Sequence, residues 1–343
     1  MLSHLRANLW LLVLSLLLCC LVYPALLWGI GQTAFRDKAT GSLILDKMGK
    51  PIGSRLIAQP FTADEYFQPR PSAASYNPAA SGASNWAASN YQLRDRVARQ
   101  LGPIVKYRSG PKKDQLVGPD IEAWFQKDEF EGKAGIVGQW AQAHSAVAQG
   151  WAKADKLNSD YVAAWQTGHP DEAAQWVKEN PGMPAPKPED LAVPFFVSYS
   201  KANPGTFPSA VEQKTPDGKV AKKIEPVSAG GDIQAFFFDM WLQEHSTAQL
   251  HEVPADMVMA SGSGLDPHIT LKNARYQLDR VAGAWASKTQ FNKSKVAKEV
   301  EALLEKEAEA PLGGLVGVKM VNVLEVNLKL GELFSSRLAK SDK

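Results

Sequence analysis

Residues 9–30 form a strongly apolar run of 22 positions without a charged side chain, and no second hydrophobic span follows. At ~1.5 Å per residue the run spans roughly 33 Å as a helix, enough for a hydrocarbon core of about 30 Å. A single span in lipid must satisfy its own backbone, so helix is its only option. Ser15 is predicted to bond back to a carbonyl of its own helix, and Pro24 to kink the outer end. Trp10 and Trp28 fall near the two ends, where amphipathic rings favour the interface. A cleaved leader would want small residues before the cut. Pro24-Ala25-Leu26-Leu27-Trp28 offers no A-x-A site, and Leu18 precedes Cys19 where a lipoprotein signal wants a small residue. The expectation is a retained anchor, 9–30, behind a cytoplasmic N-terminus, 1–8. Flanking charge is nearly balanced, with His4 and Arg6 on one side and Arg36 and Lys38, offset by Asp37, on the other. The N-terminus is placed inside because no second hydrophobic span returns the chain.

Three blocks follow. The first, ending at Gly102, is rich in Ser, Ala, Asn and Pro, with strands expected between Gly41 and Ile57 around a turn at Met48-Gly49-Lys50-Pro51. The second, 103–248, carries Trp124, Trp140, Trp151, Trp165, Trp176 and Trp241. There Trp140, His144, Val147 and Trp151 are predicted to share one helix face, and Tyr161, Trp165, Ala173 and Trp176 to continue the pattern. Residues 181–231, loaded with Pro, Gly, Lys and Ser, read as long loops, with Phe195-Phe196-Val197 and Phe236-Phe237-Phe238 as buried anchors. In the third block, 249–343, Ala274, Leu278, Val281 and Trp285 recur at i, i+4, i+7 and i+11, an amphipathic helix. Val296, Val300, Leu303 and Leu304 mark a second helix. Between 320 and 330 the even positions read Met, Asn, Leu, Val, Leu, Leu, so a strand is predicted, followed by a final helix. The fold class is α+β: a single transmembrane helix, then a mixed α/β extracytoplasmic domain in two parts, 31–102 and 249–343, around a largely helical insertion, 103–248.

Composition narrows the chemistry. A formal net charge of +2 over 343 residues gives no electrostatic reason to expect a nucleic-acid partner. The two cysteines, Cys19 and Cys20, are adjacent inside the apolar run, so neither a disulfide framework nor a cysteine metal site is available. His245 and His251 lie near Glu244 and Glu252 without the H-E-x-x-H spacing of a metal site. There is no G-x-S-x-G elbow and no P-loop or dinucleotide fingerprint.

Specific strings then appear in order. They are Gly53-Ser54-Arg55-Leu56-Ile57-Ala58-Gln59, Tyr66-Phe67-Gln68-Pro69-Arg70-Pro71-Ser72-Ala73, and Ser81-Gly82-Ala83-Ser84-Asn85. Later come Val253-Pro254-Ala255-Asp256, Ala260-Ser261-Gly262-Ser263-Gly264-Leu265-Asp266-Pro267-His268-Ile269, Gln277-Leu278-Asp279-Arg280-Val281, and Val321-Asn322-Val323-Leu324-Glu325-Val326-Asn327-Leu328. Behind a single N-terminal span these strings resemble the KdpC family, the C subunit of the high-affinity bacterial potassium pump. The resemblance covers the anchor, the first block and most of the third, and leaves the middle block out. Tyr91 stands where the family usually has proline, Trp285 near its usual arginine, and Gly317-Val318-Lys319-Met320 replaces a Gly-Glu-Pro-Arg run.

The resemblance implies an accessory, non-enzymatic subunit in the bacterial inner membrane. It would assemble with a potassium-conducting and an ATP-hydrolysing subunit, with ATP and potassium handled by the complex. A free-standing anchored domain that binds or hydrolyses a ligand is the alternative. Candidate partner contacts are Arg70, Ser81, Asn85, Ser261, Asp266 and His268, with Asp266 or Thr270 as a helix cap. Ser15 and Cys19, at i and i+4, offer a small-residue face to a partner helix in lipid. The family also points to Gln277 as a nucleotide contact, aiding ATP binding by the catalytic partner. The expected topology opposes that, since it places the helix outside the cytoplasm.

Overall fold

The computed structural model describes residues 2–46, 48–214 and 220–341. The apolar run is helical from Leu2–Leu16 through a π-helical stretch, Leu17–Val22, into Tyr23–Ala34. The Tyr23 N–H bonds the Leu18 carbonyl, five residues back. Pro24, next in sequence, has no N–H to give and its ring crowds the preceding turn, so the helix widens just before it. Ser15 Oγ donates to the Leu11 carbonyl at 2.8 Å, as anticipated. Among the described residues none buries the apolar window of this helix, which is 0% buried over His4–Ala34.

Beyond the helix the chain divides into two compact units, Met1–Ser84 with Met259–Lys343, and Asn85–Val258. In the first, Leu43–Leu45 pairs antiparallel with Pro51–Ser54. His268–Thr270 pairs antiparallel with Met320–Asn322, Ile269 opposite Val321. Both strands of this second pair run straight into a capped helix. Thr270 accepts from the Asn273 N–H at 3.1 Å and starts Leu271–Thr289. Asn322 accepts from the Glu325 N–H at 3.3 Å and starts Val323–Ser341. The Leu271–Thr289 and Lys293–Glu307 helices pack side by side. Their apolar faces, with Phe67 and the Val323–Ser341 helix, bury Val281, Trp285, Val296, Val300, Leu304 and Phe334.

The strand expected over 320–330 is therefore corrected: only Met320–Asn322 is strand, and helix follows. A short apolar run fits period two and period 3.6 equally well. Burial resolves the ambiguity, since Val323, Val326, Asn327, Leu330 and Phe334 are buried at helical spacing.

In the Asn85–Val258 unit, Tyr91–Leu101 packs on Gly231–Glu244. A Cβ on Gly102 would meet the Gln234 carbonyl at 1.9 Å, so only glycine allows this approach. The expected continuous face from Trp140 to Trp151 belongs to two helices, Ile136–Ala143 and Ser145–Ala154, broken at His144 with φ −121° and ψ 47°. Trp140, Val147 and Trp151 are buried all the same. Residues 181–231 are also more regular than their composition suggested. They hold the helix Ala192–Ala202 and the hairpin Phe207–Lys214 with Val220–Val227. Pro208 faces Pro226 across this two-stranded ribbon, where each strand has a free edge and a missing N–H is tolerated. Phe195, Phe196, Phe237 and Phe238 are buried as expected, with Phe236 only partly so.

Candidate functional site

The site grows from a segment with almost no regular structure of its own, residues 64–68. Each of its five carbonyls is met by a side chain from one of two helices. Arg280 donates to Asp64 O at 2.8 Å and Tyr66 O at 3.1 Å. Trp285 Nε1 reaches Glu65 O at 2.9 Å. Asn327 Nδ2 donates to Phe67 O at 2.9 Å while its Oδ1 accepts the Phe67 N–H at 2.8 Å. Gln277 repeats the pattern on the next residue, donating to Gln68 O at 3.0 Å and accepting the Gln68 N–H at 2.8 Å. Two primary amides thus act as pieces of β-ladder, satisfying backbone that burial removes from water. Phe67, held between them, is fully buried. Burial pushes the Arg280 guanidinium below its ordinary pKa, against the pull of Asp64 and Glu65. The hydrogen bond from Lys288 holds the Glu65 carboxyl below the usual range.

Gln277 has no capacity to spare in this arrangement. Its second N–H goes to Asn273 Oδ1 at 2.7 Å, and Arg280 adds a further bond to Oε1 at 2.8 Å. The residue is 5% exposed.

The polar loop 260–268 packs onto 70–82. Arg70 donates to Ala260 O at 3.3 Å and lies 3.6 Å from Asp266 Oδ2. Asp266 Oδ1 accepts from the His268 N–H at 3.0 Å and faces His268 Nδ1 at 3.1 Å. The His268 side chain holds the Asp266 carboxyl below its ordinary range, the His268 N–H and Arg70 add to this, and burial opposes it. Ser81 Oγ and the Gly82 N–H both donate to Ser263 O, at 3.1 and 2.9 Å. Gly264, at φ +69°, comes so close that a Cβ would meet Gly82 O at 2.7 Å. Glycine is required there for its φ and for its lack of a side chain.

The fold thus brings Arg70, Ser81, Ser261, Asp266 and His268 into one loop cluster. Ser261 is 3% exposed, whereas His268 presents 40% of its side chain. Asn85 takes a left-handed φ of 52° as the first residue of the other unit. The cap is Thr270; Asp266 instead turns its carboxylate to the His268 N–H. Ser15 and Cys19 lie on the uncovered helix. Sequence reasoning assigned no role to Asn327, Arg280 or Asn322. The signal for Asn322 was the Asn322-x-x-Glu325 spacing of a helix start; for Asn327 it was an amide inside an apolar run.

A cleft of about 250 Å³ beside His268 is lined by Glu307, Glu309, Asn322 and Glu325. Glu307 is paired with Lys329 and Glu325 with Arg55, so two of these carboxylates are already neutralised. Among the described residues no three His, Cys, Asp or Glu are placed to hold a metal ion.

The class defined so far is an α+β unit, closed by these strings, behind one N-terminal helix long and apolar enough to cross a membrane. A family model described as "K+-transporting ATPase, c chain" matches residues 5–121 and 232–332, well over half of the chain. The chain belongs to the KdpC family. A potassium-transporting ATPase KdpC subunit of Pseudomonas syringae pv. tomato is 47% identical over 109 residues, 32% of this chain and 57% of that protein. The KdpC subunit of Pseudomonas aeruginosa PAO1 is 48% identical over 101 residues, covering 29% and 55%. That of Pseudomonas savastanoi pv. phaseolicola is 41% identical over 131 residues, covering 35% and 69%. The alignments thus span from about half to two-thirds of the relatives' length. The stretch without a family match, 122–231, lies inside the Asn85–Val258 unit.

Proposed function

We propose that this protein is the accessory C subunit of an ATP-driven potassium transport complex. In this reading His4–Ala34 anchors the chain in the inner membrane with the N-terminus inside, and both units lie outside. One observation carries it: family-matched segments from the two ends of the chain close on each other through the loop 260–268 and the amide clamps. That assembly presents a hydrogen-bonded polar surface around Arg70, Asp266 and His268. Such a surface, in a chain whose long apolar helix is left unburied by the described residues, suits a stabilising subunit of a larger membrane assembly. The potassium-conducting and ATP-hydrolysing subunits are its proposed partners. The sequence suggested an insertion over 103–248; the family match narrows the candidate addition to 122–231, which we read as accessory to that role.

Gln277 we read as a structural clamp. A nucleotide at its amide would have to break bonds to Gln68 and Asn273, each break leaving a buried polar group unpaired at about 1–3 kcal/mol. The test is co-purification of the tagged full chain with the two pump subunits from solubilised membranes. A Ser287→Cys variant labelled with an impermeant reagent in intact cells and in inverted vesicles accompanies it. Co-purification with labelling from outside is expected. A chain that isolates alone, or labels only from the cytoplasmic side, overturns the assignment or its topology respectively.

A further inference from the structure

The hairpin that follows the anchor exposes an unusual amount of apolar surface. Leu43, Leu45, Ile52 and Leu56 are 42%, 54%, 37% and 60% exposed, and Met48 at the turn is 92% exposed. This is not a loosely held tip. One side of the hairpin is seated on the body of its unit: a Cβ on Gly53 would lie 2.6 Å from Leu324 Cδ2. The turn is built by Asp46, whose Oδ1 accepts the Met48 and Lys50 N–H groups at 2.8 Å each. The strands that present these apolar side chains are therefore a frame held by pairing and by side-chain hydrogen bonds.

The frame is short-coupled to the apolar helix. The chain turns back at Phe35, and the Ala39 Cβ lies 3.4 Å from where a Cβ on Gly31 would sit. The Ser42 N–H then bonds Asp37 O at 2.8 Å, and the Arg55 N–H bonds Ser42 O at 3.0 Å. The base of the hairpin is thus tied, through one short helix, to the last turns of the span. Charge points the same way. Asp37 pairs with Arg55, and Asp46 turns one carboxylate oxygen to the backbone of the turn. Arg36, Lys38 and Lys50 are exposed, and among the described residues no carboxylate pairs with them. Apolar side chains flanked by unpaired cations, held at the exit of a membrane helix, match the chemistry of an anionic lipid surface.

We propose that the 43–54 hairpin is a second membrane contact. Leu43, Leu45, Met48 and Ile52 enter the interfacial region of the leaflet, and Arg36, Lys38 and Lys50 meet lipid phosphates. Together with the anchor, this contact fixes how the Met1–Ser84, Met259–Lys343 unit stands on the bilayer. The proposal rests on the anchor reading above.

The experiment uses the full chain with Cys19→Ala and Cys20→Ala, reconstituted alone into nanodiscs containing brominated phosphatidylglycerol. A bimane label is placed in turn at Leu14→Cys, Leu45→Cys, Met48→Cys and, as an exposed control, Lys298→Cys. Only lipid carries bromine, so only lipid contact quenches. Quenching of about two-fold or more at positions 14, 45 and 48, with none at 298, is the expected result for interfacial insertion. It should weaken at 45 and 48, but not at 14, when brominated phosphatidylcholine replaces the anionic lipid. Quenching at 14 without quenching at 45 and 48 overturns the hairpin proposal, leaves the anchor standing and assigns the apolar face to a protein partner. No quenching at 14 overturns the anchor and, with it, the hairpin contact. Undiminished quenching at 45 and 48 in phosphatidylcholine overturns the role of the three cations.

Discussion

In the Asn85–Val258 unit, Trp140 is ringed edge-on by Phe196, Phe236 and Phe207 at 5.1, 5.4 and 5.5 Å. In the flanking unit, the carbonyls of 64–68 are each met by a donor from Gln277, Arg280, Trp285 or Asn327. Aromatic packing of the first kind is worth about 0.5–1.5 kcal/mol per pair beyond burial and tolerates many angles and neighbours. Side-chain amides that replace a β-ladder tolerate neither a change of length nor a change of chemistry, because a lost partner strands a buried N–H or carbonyl. The difference explains why the flanking unit announces itself through short literal strings. The Asn85–Val258 unit announces itself only through a density of Trp and Phe. Hydrophobic burial specifies a residue class; directional hydrogen bonding specifies the residue.

The most drastic way to break the comparison is to remove one side of it. The Gly82 N–H bonds Ser263 O, so the ends left by excising Asn85–Val258 already lie together. A short Gly/Ser linker from Ser84 to Met259 should leave the flanking unit folded, judged by circular dichroism and protease resistance. Its collapse would show that the two modes of stabilisation are not separable. Next in size, Trp140→Ala in the full chain should cost about 3–5 kcal/mol. Amide exchange should rise within 85–258 while the Leu271–Thr289 helix keeps its protection. Loss of protection in both places would contradict independent cores.

Asn327→Leu keeps the volume and removes both bonds to Phe67. A destabilisation of about 2–4 kcal/mol is expected from two stranded backbone groups, read from urea midpoints. A near-neutral result would mean that burial of Phe67, not the clamp, holds the segment. Gln277→Ala should cost less, about 1–3 kcal/mol, since Gln68 is closer to solvent. It should leave the apparent ATP constant of the assembled complex unchanged; a raised constant would restore the nucleotide role. Smallest is the contribution of Asp266. Its folded pKa is depressed by His268 and Arg70. The stabilisation is therefore present above the ordinary carboxylate value of about 3.9 and lost as pH falls through the lower folded value. Asp266→Asn should cost less than about 1 kcal/mol at neutral pH, given its partial exposure. The gap from the native chain should close on acidification; a gap that widens below pH ~4 would reverse the sign of this linkage.

Much of this was legible without coordinates. The apolar run spelled a helix long enough to cross a membrane, the Gly41 to Ile57 stretch spelled a hairpin, and the 3.6-residue stripe of Ala274, Val281 and Trp285 became the central helix. The errors share a cause. Residues 320–330 were read by period alone, and an apolar run of that length carries two periods at once. Residues 181–231 were read by composition, yet prolines that break a central strand are harmless in a two-stranded ribbon. His144 was assigned to a continuous face because its spacing fits, though the backbone breaks there.

By itself, then, the chain's order of residues determined what depends on near neighbours: the long apolar helix, the periodic helices, the turns, and the strings that mark the family. Tertiary structure decided what depends on distant partners. Whether Gln277 faces solvent, a ligand or a backbone is set by Gln68, which lies 209 positions away in the chain. Whether Asn327 sits in a strand or a helix is settled by which surface Val326 and Leu330 must share with Phe67. A side-chain amide has the same composition in all these settings. Only the geometry of the group opposite, and its removal from water, gives it a role.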